Sequence, residues 1–435
     1  VKIAILGFGI EGHSTYEYWN KPENDITICD QNESADIPVG VKTKLGPTYL
    51  NNLAGFDILV RTASLNPALI IGANNQDILD KVTTNTNEFF RVSPTKNIIG
   101  ITGTKGKGTT STLVTKLLQA SGHTVHLGGN IGNGAIELLK HKISPTDWVV
   151  LELSSYQLMD FKHSPLIGVC LMVVPEHLNW HLDLSDYLAS KANLFKGQAE
   201  SDKVIFYADN QYSKQIVEAS HAHKIPYLQS PGAYVDDNHF VIGGQVICST
   251  DEVKLIGKHN WQNICAALTI YWQVDQNTEI ARQVVTNFSG LEHRLELVRE
   301  LDGVKYYNDS FASVPDATMA AVEAIEGPKV VIIGGFDRGL ELVGLAAKLK
   351  EHNEDIAQVI VIGESSQRLR GAFEEAGFSK FQITNEKSMI AIVELARQTA
   401  SAGDSVILSP GFPSFDMFNN FEDRGLQFKE VVNKL

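Results

Sequence analysis

A chain of 435 residues is longer than one hydrophobic core can organise, so two or three domains are expected. With 43% hydrophobic and 20% charged residues it has a soluble globular composition, and a formal net charge of −14 argues against nucleic acid or an anionic membrane as partner. Its four cysteines (Cys29, Cys170, Cys248, Cys265) form no CxxC pair, as suits reduced thiols in the cytoplasm, and its longest apolar stretch, 166–174, is too short to cross a bilayer.

The first segment, residues 1–92, opens with a buried strand at 1–6 rather than a leader-like pattern. It runs into Gly7-Phe8-Gly9-Ile10-Glu11-Gly12 and then a helix, and a second strand at 26–29 ends on Asp30. This is the start of a βαβ unit. Gly7, Gly9 and Gly12 followed by a strand-end acid match a dinucleotide fingerprint, which taken alone suggests an NAD-dependent oxidoreductase. The same loop can hold a different diphosphate, or merely turn the chain.

The second segment, 93–290, begins with a strand at 97–102 and the run Gly103-Thr104-Lys105-Gly106-Lys107-Gly108-Thr109-Thr110, followed by a helix at 111–120. Short side chains there let backbone N–H groups converge on phosphate oxygens at a helix N-terminus. Lys107 would bridge the β- and γ-phosphates, and Thr109 is the first hydroxyl available to Mg²⁺, because Gly108 stands directly after the lysine. Glu152 closes a strand at 148–153, where a carboxylate suits Mg²⁺. After a strand at 167–174 come His177 and His181, four apart; zinc would fit that spacing, but there is no HExxH arrangement, and His177 is preferred at a phosphate or Mg²⁺ site with His181 supporting. Lys191, in a helical stretch at 186–195, reads from spacing alone as a solvated surface lysine. Short β-like runs occupy 233–256. An oxidoreductase gives no reason for a phosphate loop near residue 103, whereas a ligase holding a UDP-linked substrate together with ATP explains both glycine loops.

The third segment, 291–435, alternates strands at 304–307, 329–333, 358–362 and 405–408 with helices at 340–351 and 388–401. The fold class is α/β in three domains: a Rossmann-like N-terminal domain, a central P-loop ATPase-like domain and a Rossmann-like C-terminal domain.

In order, GTKGKGTT (103–110), GGNIG (128–132), LELSSYQL (151–158), PEHLNWH (175–181), the lysine of SKANLF (190–195), GKHNWQN (257–263), GLEHRLE (290–296) and YYNDS (306–310) resemble the Mur ligases, the amide-forming enzymes of peptidoglycan precursor synthesis. Within that family GFGIEGHS (7–14), GGFDRGLEL (334–342) and SPGFPSFDMFNNFEDRG (409–425) are similar to the members that add D-glutamate. The resemblance implies ATP and two Mg²⁺ sites, with Lys107 at the phosphates and Thr109, Glu152, His177 and a carbamylated Lys191 at the metals. It implies Asn260, Asn263, Arg294 and Asp309 at the adenine and ribose. UDP-N-acetylmuramoyl-L-alanine is implied at Gly7, Gly9, Ile10, Glu11, Gly12, Asp30, Asn130 and Ser154, and D-glutamate at Ser313, Arg338, Ser414 and Phe421. Two positions depart from the commoner pattern: Phe311-Ala312-Ser313 where many members have Lys-Ala-Thr, and Arg338 where some carry lysine. A monomeric cytoplasmic enzyme is implied.

Overall fold

The computed structural model describes residues 1–255, 257 and 259–435, with only the backbone at His259. It forms two compact units, Val1–Glu252 with Trp261–Thr286, and Val253–Asn260 with Asn287–Leu435.

The first unit holds three sheets. In the first, β1 (Lys2–Leu6), β2 (Asp25–Asp30), β3 (Lys42–Leu45), β4 (Ile58–Arg61) and β5 (Val82–Thr83) lie in the order β3-β2-β1-β4-β5, all parallel. Ile3, Ala4, Ile5 and Leu6 are wholly buried, as a strand covered on both faces requires. The connections diverge on either side of β1, so the crevice of this doubly wound sheet opens at its C-terminal end, where residues 7–12 lie.

The second sheet contains β6 (Ile98–Thr102), β7 (Val125–Gly129), β8 (Trp148–Glu152), β9 (Ile167–Cys170), β10 (Lys203–Tyr207) and β11 (His223–Tyr227), parallel in the order β11-β10-β9-β6-β8-β7. Beside it, β12 (Tyr234–Asp236), β13 (His239–Ile242) and β14 (Gln245–Ser249) make the small antiparallel sheet expected of the β-like runs. The strand expected at 167–174 stops at Cys170, because Val174 N–H donates to Thr104 Oγ1 at 3.0 Å instead of joining the sheet.

The second unit is built on β15 (Glu296–Leu301), β16 (Val304–Asn308), β17 (Lys329–Gly334), β18 (Ile356–Ile362), β19 (Phe381–Ile383) and β20 (Ser405–Leu408), ordered β15-β16-β20-β17-β18-β19. Only β15 runs antiparallel in this sheet. The helix expected at 340–351 begins later, at Val343, because the Leu340 carbonyl accepts a hydrogen bond from Arg368. Among the described residues no helix is long and apolar enough to cross a membrane.

Candidate active site

Strand β6 delivers the loop 103–106 to the helix Lys107–Ala120. Gly103 and Gly106 have φ of +149° and +87°, and a Cβ on Gly106 would lie 2.1 Å from Asn263 Oδ1, so that turn demands glycine and places Asn263 beside it. Thr104 is buried and spends its hydroxyl on the protein, donating to the Val174 carbonyl at 3.0 Å and meeting Tyr187 Oη at 2.7 Å. Lys105 is exposed and pairs with Glu176 at 2.8 Å. Lys107 Nζ donates to the carbonyls of Gly103 and Thr104, each at 3.1 Å. Thr109 is buried at the helix start beside Gly108, and Thr110 Oγ1 is buried with no partner among the described residues.

Lys191 is not a surface residue. It lies on the helix Leu184–Ala192, 1% exposed, and donates to the Gly103 carbonyl at 3.0 Å and to Thr102 Oγ1 at 3.4 Å. Its Nζ sits 4.7 Å from the ring centroid of Tyr187, one helical turn earlier. Burial, reinforced by the charge of Lys107, pushes its ammonium down to about 7. Two lysines thus converge on one carbonyl, and one of them is poised to be a neutral amine.

The two histidines have separate fates. His177, at a left-handed φ of 60°, is partly open, its ring 5.0 Å from that of Tyr156. Burial and the charges of Lys191, Lys107 and Lys105 hold it below its ordinary value against the pull of Glu176, so it presents a neutral nitrogen. His181 is buried with both nitrogens engaged, Nδ1 to Asp186 at 3.1 Å and Nε2 to Ser155 Oγ at 3.0 Å. That disposes of a zinc pair, and among the described residues no group of three His, Cys, Asp or Glu could hold a metal.

Glu152 is buried at the end of β8, where Asn130 donates to its Oε1 at 2.8 Å and to its backbone carbonyl at 2.8 Å. Gly129 makes the approach possible, since a Cβ there would lie 2.2 Å from the Glu152 carbonyl. Ser154 caps the short helix Ser155–Leu158. A small pocket is lined by Gly103, Lys107, Ser154, Ser155, Tyr156, Glu176, His177, Tyr187 and Lys191. Sequence reading missed Tyr156, Glu176 and Tyr187, although the first two lie inside motifs that it had singled out and the third in the helical stretch of Lys191.

In the first loop the three glycines have different jobs. A Cβ on Gly7 (φ +96°) would meet Thr62 Oγ1 at 2.4 Å, and one on Gly12 would meet the Gly7 carbonyl at 2.4 Å. At Gly9 a Cβ would meet nothing within 4 Å among the described residues, which leaves the backbone open to a ligand. Asp30 holds the loop, its carboxylate accepting from Phe8 N–H at 2.5 Å and Asn32 N–H at 2.7 Å. Ile10 is 91% exposed, whereas Glu11 turns inward to accept from Ala63 N–H at 2.7 Å, and burial raises its carboxyl.

In the second unit the segments following β16, β17 and β20 are stitched together at the C-terminal edge of the sheet. Gly411 N–H donates to the Ala312 carbonyl and Phe336 N–H to that of Pro413, each at 2.9 Å. Ser313 and the buried Ser414 belong to these segments, and Arg338 extends from the β17 loop with its guanidinium 5.9 Å from the ring centroid of Phe415. Asp337, the residue before Arg338, is paired with Arg368 at 2.5 Å. Phe421 opens the helix Phe421–Lys434, and its carbonyl accepts from Ser310 Oγ at 2.8 Å. Asp309 is buried, accepting from Ser409 Oγ at 2.7 Å and Leu295 N–H at 3.1 Å, and burial raises it to about 7. The Arg294 guanidinium lies 4.9 Å from the ring centroid of Phe311. Sequence reading also missed Arg424, which is buried and binds Ser310 Oγ, the Ser310 carbonyl and the Phe412 carbonyl at 2.8–3.1 Å. Asn260 lies on the helix His259–Tyr271 with Asn263, and Lys258 of the GKHNWQN run is outside the described residues.

A glycine loop opening a helix, two lysines meeting on it and a carboxylate at the neighbouring strand end form an arrangement that can receive a phosphate group at the C-terminal edge of an α/β sheet. Two family models match the chain: the Mur ligase middle domain over residues 101–271, and "Mur ligase, glutamate ligase domain" over residues 293–412. The UDP-N-acetylmuramoylalanine–D-glutamate ligase of Clostridium kluyveri is 36% identical, the alignment covering all of this chain and 97% of that protein. The ligase of the same name from Clostridium novyi is 35% identical with the same coverage. The chain belongs to the Mur ligase family. Solved structures share the fold at low identity. MurF of Acinetobacter baumannii has a TM-score of 0.63 at 14% identity, over 99% of this chain and 93% of that one. MurC of Thermotoga maritima has 0.57 at 13%, over 100% and 99%. Membership over the whole length removes the oxidoreductase reading of the first glycine loop.

Proposed function

We propose that the chain joins D-glutamate to UDP-N-acetylmuramoyl-L-alanine, converting ATP to ADP and phosphate. The observation that carries this reading is the convergence of Lys107 and Lys191 on the Gly103 carbonyl, in a chain whose full-length relatives bear the name of that reaction. The L-alanyl carboxylate attacks the γ-phosphate to form an acyl phosphate, and the glutamate amine then displaces phosphate from the carbonyl carbon.

The backbone N–H groups of 106–109 receive the ATP phosphates, those of Thr104 and Thr110 being bonded to the Met172 and Gly106 carbonyls, and Lys107 exchanges its two loop carbonyls for phosphate oxygens, neutralising charge on the transferring group. Glu152, held by Asn130, the neutral His177 and the Thr109 hydroxyl form a donor set suited to Mg²⁺, which would neutralise phosphate charge when bound. An ammonium at Lys191 would repel such a cation. Carbamylation resolves this: the neutral Nζ attacks CO₂, a proton leaves to solvent, and an anionic oxygen donor results. An amine near 7 is about half in its neutral, reactive form at neutral pH.

The open backbone at Gly9 supports diphosphate binding at the first loop, with Gly7, Ile10, Glu11, Gly12 and Asp30 around it and Asn130 and Ser154 toward the acyl end. On the second unit, Arg338 takes a glutamate carboxylate by two parallel hydrogen bonds, aided by Ser313, Ser414 and the Phe421 amide. Asn260, Asn263, Arg294 and Asp309 serve the adenosine. Domains run 1–92, 93–290 and 291–435, and the enzyme acts as a cytoplasmic monomer. The test is phosphate release with the UDP-sugar across a panel of D- and L-amino acids. Release that depends on D-glutamate supports the reading, and a preference for L-glutamate or another amino acid overturns it.

A further inference from the structure

We propose that Arg61 is a positioning residue for the ligase reaction, holding the loop 62–66 in register with the Tyr156 wall of the Lys191 pocket; this rests on the reaction proposed above. Arg61 ends β4 and is 1% exposed. Its Nε and Nη2 donate to the two carboxylate oxygens of Asp160 at 2.8 and 2.5 Å. Nη1 donates to the carbonyls of Thr62, Ala63 and Leu65 at 3.1–3.2 Å, and Nη2 also reaches the Tyr156 carbonyl at 3.1 Å. One guanidinium therefore shapes the loop leaving the first sheet and ties it to the segment that follows Ser155.

Both ends of this tie reach the reaction. On one side, Thr62 Oγ1 donates to the Leu6 carbonyl at 3.2 Å and fills the space behind Gly7, while Ala63 N–H holds Glu11. On the other, the Tyr156 ring packs on His177 and walls the pocket. Trp180 completes the bracket, donating from Nε1 to the Ser64 carbonyl and accepting from Asn66 Nδ2, each at 2.9 Å. The carbonyls of residues 62–65 thus all accept hydrogen bonds, three from Arg61 and that of Ser64 from Trp180.

Stability is a weak reason for such an arrangement, because desolvating a buried ion pair cancels most of its attraction. Register is a better one. A substrate whose diphosphate lies at Gly9 and whose acyl carboxylate enters the pocket must meet both loops at once, and small misplacement at either end costs rate.

The test uses the full chain carrying Arg61→Met, Arg61→Lys or Asp160→Asn, with each substrate titrated separately and UDP-sugar binding measured by calorimetry. Arg61→Met is expected to lower kcat/KM for UDP-N-acetylmuramoyl-L-alanine by about tenfold or more while changing KM for ATP less than about twofold. Arg61→Lys keeps the charge but not the fork and falls between. Asp160→Asn keeps shape, gives the same split, and decides the matter if Arg61→Met does not fold. A lower melting temperature with unchanged sugar kinetics, or equal losses for sugar and ATP, overturns the positioning role. Wild-type protein that binds the UDP-sugar without releasing phosphate sinks the proposed reaction, and the calorimetry then still decides Arg61: weaker binding in the variants supports it, equal binding overturns it.

Discussion

Replacing Lys191 by methionine tests the electrostatics of the pocket without any substrate. The side chain is fully buried and its ammonium falls from 10.5 to about 7. At 1.36 kcal/mol per pH unit, holding that charge inside costs the folded state on the order of 5 kcal/mol relative to the neutral amine. The unfolded chain binds the proton up to about 10.5, so the penalty is full below about 7 and is relieved as pH rises from 7 toward 10.5. Methionine has no such penalty. In CO₂-free buffer, the stability of Lys191→Met relative to wild type is therefore expected to be about 3 kcal/mol more favourable at about pH 6 than at about pH 9.5. Denaturant unfolding followed at both pH values measures this. A difference independent of pH would refute the buried, depressed ammonium. Adding bicarbonate at about pH 8 should then stabilise wild type alone, because only an amine forms a carbamate.

Three further outcomes follow from the same geometry. Lys107→Ala should abolish phosphate release yet leave UDP-sugar binding by calorimetry intact, since Lys107 contacts the 103–104 loop and not the first glycine loop. Arg338→Lys should raise KM for D-glutamate with little change for ATP, at about 1–3 kcal/mol for the lost bidentate geometry; equal D-glutamate kinetics would remove Arg338 from the site. Gly7→Ala should destabilise the fold by about 1–3 kcal/mol in thermal melts, because of its positive φ and the Thr62 hydroxyl behind it.

The strands of the parallel sheets were legible because strands buried on both faces write continuous apolar runs, as Ile3–Leu6 do. The glycine turn at 103–106 was legible because glycine spacing between a strand and a helix has few other uses. Lys191 was not legible from spacing: its helix offers an ordinary mixed face, and its burial comes from Gly103 and Thr102, far earlier in the chain. Only the family resemblance pointed inward. His177 and His181 look alike in sequence, and tertiary partners alone separate an open ring from one bonded at both nitrogens. The overlong strand at 167–174 had the same cause, the Thr104 hydroxyl competing for Val174 N–H. Arg61 and Asp160 could not be paired from sequence, since nothing local marks an arginine at a strand end as buried.

The identity of the reaction is read from mass spectrometry of the product formed from UDP-N-acetylmuramoyl-L-alanine, ATP and isotopically labelled D-glutamate. The expected product is a UDP-sugar carrying one labelled glutamate in amide linkage, with one ADP and one phosphate for each. Phosphate release without that product, or the same product from L-glutamate at equal rate, would contradict it.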